Sequence, residues 1–169
     1  MAKITAQTSG AADRLEGLVY REATARDLPA LQLLEQKLID SERPYDAFLK
    51  DRDAAYYDIR HLIADPDTFL LVVDSGGEIA GSGYGQIRVS DCFHQHDSHC
   101  YLGFIYVEPE FRGSGVAGRI VGKLKDWSIS RNVRHFRLNV YSANEAAIRA
   151  YERAGFSKIT VKMEVAVTD

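Results

Sequence analysis

The sequence predicts an α/β fold of the α+β kind: a mixed, mostly antiparallel central sheet with helices on both faces. Two observations predict it. The first half of the chain starts with a short strand and two helical stretches and continues into a hairpin, which favours antiparallel neighbours. The second half alternates apolar strands with amphipathic helices, which favours a sheet that is covered on both faces.

The first strand is predicted over residues 18–22. Thr24 and Asp27 then resemble a capping box that opens a helix, and leucines follow at helical spacing, at positions 28, 31, 34 and 38. A second helical stretch is predicted over residues 46–64, where Pro66 and its neighbours end it.

A hairpin follows, with one strand over residues 69–73, a turn at Ser75-Gly76-Gly77 and a return strand from Ile79 onward. After a polar loop, residues 101–107 are almost wholly apolar, which is typical of a central strand buried on both faces.

The second half adds two helices and two strands. The first helix has apolar residues on one side, at positions 116, 120, 121, 124 and 127. A strand is predicted over residues 136–140. Ser142 and Glu145 then form a capping box for a second helix, which Gly155 ends. A last strand is predicted over residues 156–165.

Composition and charge restrict the classes of protein. The length of 169 residues and the 46% of hydrophobic residues predict a single folded domain over 1–169, with residues 1–16 as an N-terminal arm or extra element. The formal net charge of −3 predicts no nucleic-acid partner. The apolar runs are too short for a membrane span, and no signal peptide is evident, so we expect a cytoplasmic protein. Whether it forms a homodimer is left open.

A glycine-rich turn between the central strand and the next helix predicts an anion site, because its backbone N–H groups and the helix N-terminus attract phosphate. The turn also spells the dinucleotide fingerprint, with glycines at positions 113, 115 and 118. Five residues separate the strand end at Val107 from Gly113, and the next strand ends without an acidic residue, so the dinucleotide interpretation is weak.

The turn instead resembles the acyl-CoA-binding motif of the GNAT superfamily of N-acetyltransferases, Arg/Gln-x-x-Gly-x-Gly/Ala. Arg112, Gly115 and Ala117 occupy its three defined positions. A second motif of that family, Asn-x-x-Ala-x-x-x-Tyr-x-x-x-Gly-Phe, matches in register further along the chain, at Asn144, Ala147, Tyr151, Gly155 and Phe156.

The resemblance implies an N-acetyltransferase that moves an acetyl group from acetyl-CoA to a primary amine of a small molecule, peptide or protein by direct attack. It implies that the turn holds the CoA pyrophosphate, mainly through its main chain; the turn consists of Arg112, Gly113, Ser114, Gly115, Val116, Ala117 and Gly118. It implies a bulge in the central strand, where the pantetheine arm would pair with Ile105, Tyr106 and Val107.

Two further roles follow from the resemblance. Asn144 would bind the pantetheine arm, although helix capping explains it equally well. Tyr151 would be the general acid that protonates the leaving CoA thiolate, and its structural alternative is an aromatic residue on the buried face of a helix.

The general base stays open, because the start of the central strand has no carboxylate where some relatives have a glutamate. Glu42, Asp46, His99 and Tyr84 are candidates. A non-catalytic acyl-CoA-binding sensor or regulator on the same fold is the alternative function. The loop from Cys92 to Cys100 is rich in histidine, but its spacing matches no common metal template, so we expect no metal.

Overall fold

The protein is described by a computed structural model that covers Leu15 and residues 17–167. The N-terminal arm expected over 1–16 therefore lies outside the described residues, apart from Leu15. The described residues form one five-stranded sheet whose strands lie side by side in chain order. The first four strands are antiparallel, and the last pair is parallel. The strands are β1 (Leu18–Glu22), β2 (Thr68–Ser75), β3 (Glu78–Val89), β4 (Ser98–Val107) and β5 (Phe136–Arg137).

Helices cover both faces of this sheet, as the sequence predicts. They are α1 (Leu28–Glu42), α2 (Ile59–Ala64), α3 (Val116–Ser130) and α4 (Glu145–Arg153), with short 3-10 turns at Ala25–Asp27, Arg43–Tyr45 and Pro109–Phe111. Within the described ranges, none of the helices combines the length and apolar character that crossing a membrane requires.

Two apolar cores lie on opposite sides of the sheet. On one side, the α1 leucines pack against Leu70 and Val72 of β2. On the other side, Ile120 and Leu124 of α3 pack in the same core as Leu71. Successive residues of a strand point to opposite faces, so a strand buried on both faces needs an unbroken apolar run. This explains the apolar run over residues 69–73.

The entry into α1 is fixed by a buried carboxylate. Asp27 accepts hydrogen bonds from the Thr24 backbone N–H at 2.7 Å and from Arg21 at 2.8 and 2.9 Å. Arg21 also contacts Asp74 of β2 at 3.0 Å. The capping box predicted at Thr24 is confirmed, although it opens the 3-10 turn that leads into α1.

A bulge interrupts β4. The register of β4 against β3 shifts between Ser82 and Tyr84, and Phe104 has φ of +51°, which is rare for a bulky residue. Before the bulge, Leu102 packs in the α3-side core; after it, Phe104 and Tyr106 pack in the α1-side core. The bulge therefore changes which face each residue of the strand presents.

Partners from outside the strand hold the bulge. Ser82 Oγ donates to the Phe104 carbonyl at 3.0 Å, and the Phe104 N–H donates to the Tyr57 hydroxyl at 3.1 Å. The Tyr84 ring occupies the space beside Gly103, where an added Cβ would lie 2.6 Å from its Cε1. Only a residue without a side chain fits there.

The helix predicted over residues 46–64 is wrong for most of its length, since only Ile59–Ala64 is helical. The buried Glu35 carboxylate accepts hydrogen bonds from the backbone N–H groups of Tyr56 and Tyr57, each at 2.8 Å. Gln36 donates to the Ala54 carbonyl at 3.0 Å. These side chains of α1 bind backbone groups that a helix would have bonded internally, so the segment runs along α1 as an irregular chain.

Two strand predictions also differ from the structure. The strand predicted over residues 136–140 contains only Phe136 and Arg137, because it diverges from β4 after pairing at two positions. The last strand, predicted over residues 156–165, does not form within the described part of the chain, and residues 157–167 are exposed.

Candidate active site

A cleft opens where β4 and β5 separate. The two strands pair only at Cys100 with Phe136 and at Tyr101 with Arg137. Beyond this point β4 continues to Val107 and pairs with β3 alone. Its other side is then an open strand edge with main-chain hydrogen-bonding groups, at the position of Ile105, Tyr106 and Val107.

The glycine-rich turn lies at the end of this edge and leads into α3. Gly113 and Gly115 have positive φ, +75° and +87°, and Gly115 is the N-cap of α3. A Cβ added at Gly113, Gly115 or Gly118 would meet no heavy atom within 4 Å. The first N–H groups of a helix have no partner within it and carry partial positive charge. The turn therefore combines open space with N–H donors, which fits a phosphate group.

The polar side chains of the turn bond back to the main chain. Arg112 Nε donates to the Val107 carbonyl at 2.8 Å, and its guanidinium lies 5.3 Å from the centre of the Tyr106 ring. Ser114 Oγ donates to the Phe111 carbonyl. Arg112 thus ties the turn to the end of β4. Because both polar side chains already bond to the main chain, the groups left to bind an anion are the backbone N–H groups of the turn.

Helix α4 begins after Asn144 and brings Tyr151 to the same core as α3. Asn144 Oδ1 accepts the Ala147 N–H at 3.1 Å, so Asn144 does cap the helix. Tyr151 is half-buried and packs at 6.1 Å, ring centre to ring centre, from Phe156. Burial raises the pKa of Tyr151 to about 12, and the negative charge of Glu42 contributes. The phenol therefore stays protonated at neutral pH. Packing of the ring in the core is thus compatible with a role of the hydroxyl as a proton donor.

Glu42 is the last residue of α1, and its negative charge acts on this tyrosine and on two others. Burial raises the pKa of Glu42, opposed in part by the nearby Tyr56 hydroxyl. Burial is also the main cause that raises the pKa of Tyr56, Tyr141 and Tyr151, and the Glu42 charge raises each of them further. One half-buried carboxylate therefore acts electrostatically on three phenols.

Asp46 extends the group. Its Oδ2 accepts from the Tyr141 hydroxyl at 3.1 Å, and the Tyr141 and Tyr56 hydroxyls lie 3.4 Å apart. Sequence reasoning missed Tyr56 and Tyr141. Tyr56 lies in the segment that was predicted helical, and nothing in the local pattern marks either tyrosine.

The other two base candidates are placed differently. Tyr84 is buried under the Tyr57 ring, 5.6 Å away centre to centre, and burial raises its pKa to about 12. His99 is buried at the start of β4, and its Nδ1 lies 2.9 Å from Ser90 Oγ. Burial and the charge of Arg137 lower the pKa of His99. Of the four candidates, Glu42 has the clearest relation to Tyr151.

The histidine-rich loop forms an aromatic stack. The His96 ring lies 3.9 Å from that of His135 and 5.3 Å from that of His94. Cys100 is buried in the α3-side core, whereas Cys92 is exposed. Among the described residues, no group of three His, Cys, Asp or Glu side chains is arranged to hold a metal ion.

Comparison with known families identifies the class. The mixed, mostly antiparallel sheet, the bulged β4 and the glycine turn before α3 are what the sequence resemblance leads one to expect of an acetyltransferase fold. A sequence model of the acetyltransferase (GNAT) family matches residues 32–156, so the chain belongs to this family. This confirms the family resemblance and the predicted fold class.

Individual relatives agree with this assignment. An acetyltransferase of Pectobacterium atrosepticum is 33% identical over 100 residues, which are 59% of this chain and 64% of that protein. The match thus spans less than two thirds of this curated relative.

Two solved structures share the fold. A predicted acetyltransferase of Clostridium acetobutylicum, crystallised with acetyl-CoA, has a TM-score of 0.67 at 16% identity over 88% of this chain and 96% of that one. The aminoglycoside N-acetyltransferase AAC(6')-Iy, in complex with CoA, has a TM-score of 0.68 at 16% identity over 89% of this chain and 100% of that one.

Proposed function

We propose that this protein transfers an acetyl group from acetyl-CoA to a primary amine by direct attack. The observation that carries the proposal is the open edge of β4, which runs from the bulge at Phe104 into the glycine turn at the start of α3, where an added Cβ would have open space. The edge offers a row of main-chain groups to an extended arm, and the turn offers N–H donors to a pyrophosphate.

The chain then has distinct tasks along this path. Gly113, Gly115 and the first turn of α3 would bind the pyrophosphate through backbone N–H groups. The main chain of residues 105–107 would hold the pantetheine arm. One N–H there would stabilise the negative charge that develops on the thioester carbonyl oxygen, which is commonly the largest single contribution to this kind of catalysis.

Glu42 and Tyr151 would handle the protons. As the amine nitrogen bonds to the acetyl carbon, Glu42 takes the amine proton, directly or through a water molecule. As the carbon–sulfur bond breaks, the Tyr151 hydroxyl gives its proton to the sulfur. The raised pKa of Glu42 makes it a better base than an ordinary carboxylate, and the raised pKa of Tyr151 keeps it protonated.

The acceptor amine lies among groups that favour a cation. Glu42 and Asp46 carry negative charge, and the phenols of Tyr56 and Tyr141 lie beside them. A positively charged amine is attracted to such a group, and Glu42 can then remove its proton. Small molecules and peptides with exposed amines both fit this description.

The test is acetyl transfer with a panel of amines, measured as release of the CoA thiol. Aminoglycosides belong in the panel because a protein of this fold is an aminoglycoside N-acetyltransferase. Diamines and peptides with free N-termini or lysine complete it. Calorimetry with acetyl-CoA and with NADPH should show binding of the first alone. Tight acetyl-CoA binding with no turnover across the panel would favour the non-catalytic sensor, and NADPH binding would overturn the proposal.

A further inference from the structure

Side chains, and not a neighbouring strand, hold the main chain of Phe104. Its N–H donates to the Tyr57 hydroxyl at 3.1 Å, and its carbonyl accepts from Ser82 Oγ at 3.0 Å. In a regular antiparallel pair both groups would bond to the main chain of the next strand. The Tyr57 ring also stacks on the Phe104 ring, with the ring centres 5.1 Å apart, so Tyr57 holds this residue in two ways.

Phe104 has a backbone conformation that a residue with a side chain normally avoids. Its φ of +51° lies in the left-handed region. Such a conformation persists only where its surroundings fix it, and these cases cluster at functional sites. Here two hydroxyl groups and one aromatic stack fix it. The fold thus keeps a strained residue in place beside the open edge of β4.

The bulge decides which N–H groups of β4 face the cleft. Before the bulge, the Cys100 N–H donates to the His135 carbonyl, on the β5 side. After the bulge, the Glu108 N–H donates to the Ala80 carbonyl, on the β3 side. In a regular strand every second residue points its N–H to the same side, so positions 100 and 108 should agree. They differ, so an odd number of residues is inserted between them.

The register of β4 against β3 locates the inserted residue. The pairs on either side of the bulge leave two residues of β4, at positions 104 and 105, opposite one residue of β3, at position 83. Beyond the bulge, the N–H groups of Ile105 and Val107 therefore point away from β3, to the open edge. The Val107 carbonyl lies on the same side as its N–H, and it accepts from Arg112 and not from β3.

Ser82 and Tyr57 fix the two peptide planes that meet at Phe104. A trans peptide unit is planar, and its C=O and N–H point in opposite directions. The Phe104 carbonyl is bonded to Ser82 of β3, so the N–H of the same plane, that of Ile105, points away from β3. Tyr57 fixes the preceding plane through the Phe104 N–H. The direction of the Ile105 N–H therefore depends on these two hydroxyl groups.

We infer that Tyr57 and Ser82 are positioning residues for acetyl transfer: they hold the bulge at Phe104 so that the Ile105 N–H is directed at the carbonyl oxygen of the acetyl thioester. This inference rests on the proposed function. Each hydroxyl acts through the main chain of Phe104, and neither takes part in the proton transfers. A donor that is fixed in advance needs no reorganisation when negative charge develops on the oxygen, so it lowers the barrier of the chemical step.

The test is the stretching frequency of the acetyl carbonyl in bound, isotope-labelled acetyl-CoA, measured by infrared difference spectroscopy without an amine. A hydrogen bond weakens the C=O bond, so the wild type should lower this frequency relative to free acetyl-CoA. Tyr57→Phe keeps the ring stack and removes only the acceptor, whereas Ser82→Ala removes only the donor. In both variants the frequency should return part of the way to that of free acetyl-CoA.

The same variants should lose turnover more than binding. With any amine that is acetylated, kcat should fall by about 10–10²-fold in each, because the Ile105 N–H is then misdirected but still present. The acetyl-CoA Kd should change far less than kcat, since the glycine turn is intact. A residue that only stabilised the fold would not shift the carbonyl frequency.

Ser128→Ala is the matched control for Ser82→Ala. Both serines are fully buried, and each Oγ donates to one main-chain carbonyl, that of Phe104 at 3.0 Å for Ser82 and that of Val133 at 2.8 Å for Ser128. Ser128 lies at the end of α3 that is remote from the glycine turn. The two variants should lose similar melting temperature, while Ser128→Ala keeps the wild-type carbonyl frequency and kcat.

The two readouts separate this inference from the proposed function. A lowered frequency in the wild type with no turnover of any amine would overturn the proposed function and support the direction of the Ile105 N–H. Turnover without a lowered frequency would overturn the inference alone. So would a full wild-type shift in both Tyr57→Phe and Ser82→Ala, or an equal loss of the shift in Ser128→Ala. If Ser82→Ala does not fold, the frequency and kcat of Tyr57→Phe decide.

Discussion

Replacing Gly115 with alanine tests the phosphate cradle with a single methyl group. Gly115 has φ of +87°, a conformation that costs an ordinary residue about 1–2 kcal/mol. A Cβ there would meet nothing within 4 Å, so no steric clash within the protein adds to this cost. For a chain of this size, the strain should lower the melting temperature by about 2–8 °C.

Gly77→Ala is the matched control. Gly77 lies in the β2–β3 turn with φ of +100°, and an added Cβ there also meets nothing within 4 Å. The two variants should lose similar stability for the same reason. Only Gly115→Ala should also bind acetyl-CoA at least about tenfold more weakly, a loss of about 1.4 kcal/mol, because its methyl group would project into the space proposed for the pyrophosphate.

Calorimetry and melting with acetyl-CoA measure this difference. At a ligand concentration of 100 Kd, binding adds about 2.7 kcal/mol of stability, so the wild type and Gly77→Ala should melt about 5–11 °C higher with ligand than without it. Gly115→Ala at the same concentration should gain clearly less. If both alanine variants bind equally well, the turn is only a corner between strand and helix, and the cradle lies elsewhere.

Three further predictions concern protons. Tyr151→Phe keeps the ring, so the melting temperature and acetyl-CoA Kd should change little, while kcat falls by about 10²–10⁴-fold if loss of the thiolate limits the rate. Glu42→Gln should lower kcat and remove the rise of kcat with pH, measured as a pH–rate profile, because the carboxyl whose pKa burial raises is gone. Arg21 lowers the pKa of Asp27 from 3.8 to about 2, so as pH falls the unfolded state binds this proton first. Asp27 should account for at most about 2 kcal/mol of the stability lost between about pH 4 and pH 2, so in urea unfolding Asp27→Asn should lose less stability than the wild type over this range.

The parts of the site that the sequence predicts are those set by local chemistry. The glycine turn, the start of α3 and the cap at Asn144 follow from residues within a few positions of one another. Two hydrogen bonds that Glu35 of α1 accepts explain why the helix predicted over residues 46–64 is mostly wrong. Glu35 takes the N–H groups of Tyr56 and Tyr57, which are more than twenty positions away, and no helical period in residues 46–58 reveals this. The group of tyrosines around Glu42 and Asp46 was therefore hidden in the sequence.

The bulge at Phe104 is a second feature that the local sequence does not predict. Its location was expected only from the family resemblance, because no residue of the apolar run over 101–107 marks a break. The structure supplies the physical cause: Tyr84 fills the space beside Gly103, and Ser82 and Tyr57 take the main-chain groups of Phe104. All three partners come from other parts of the chain.

The C-terminal segment, residues 157–167, has the residue pattern of a strand, but among the described residues it has no strand edge of matching length to pair with. Its alternation is a sound strand signal, yet a strand forms only where an edge of matching length accepts its hydrogen bonds. β5 offers two residues, and the segment spans residues 157–167. The prediction of a strand and its absence in the single chain are therefore both consistent with the same physics.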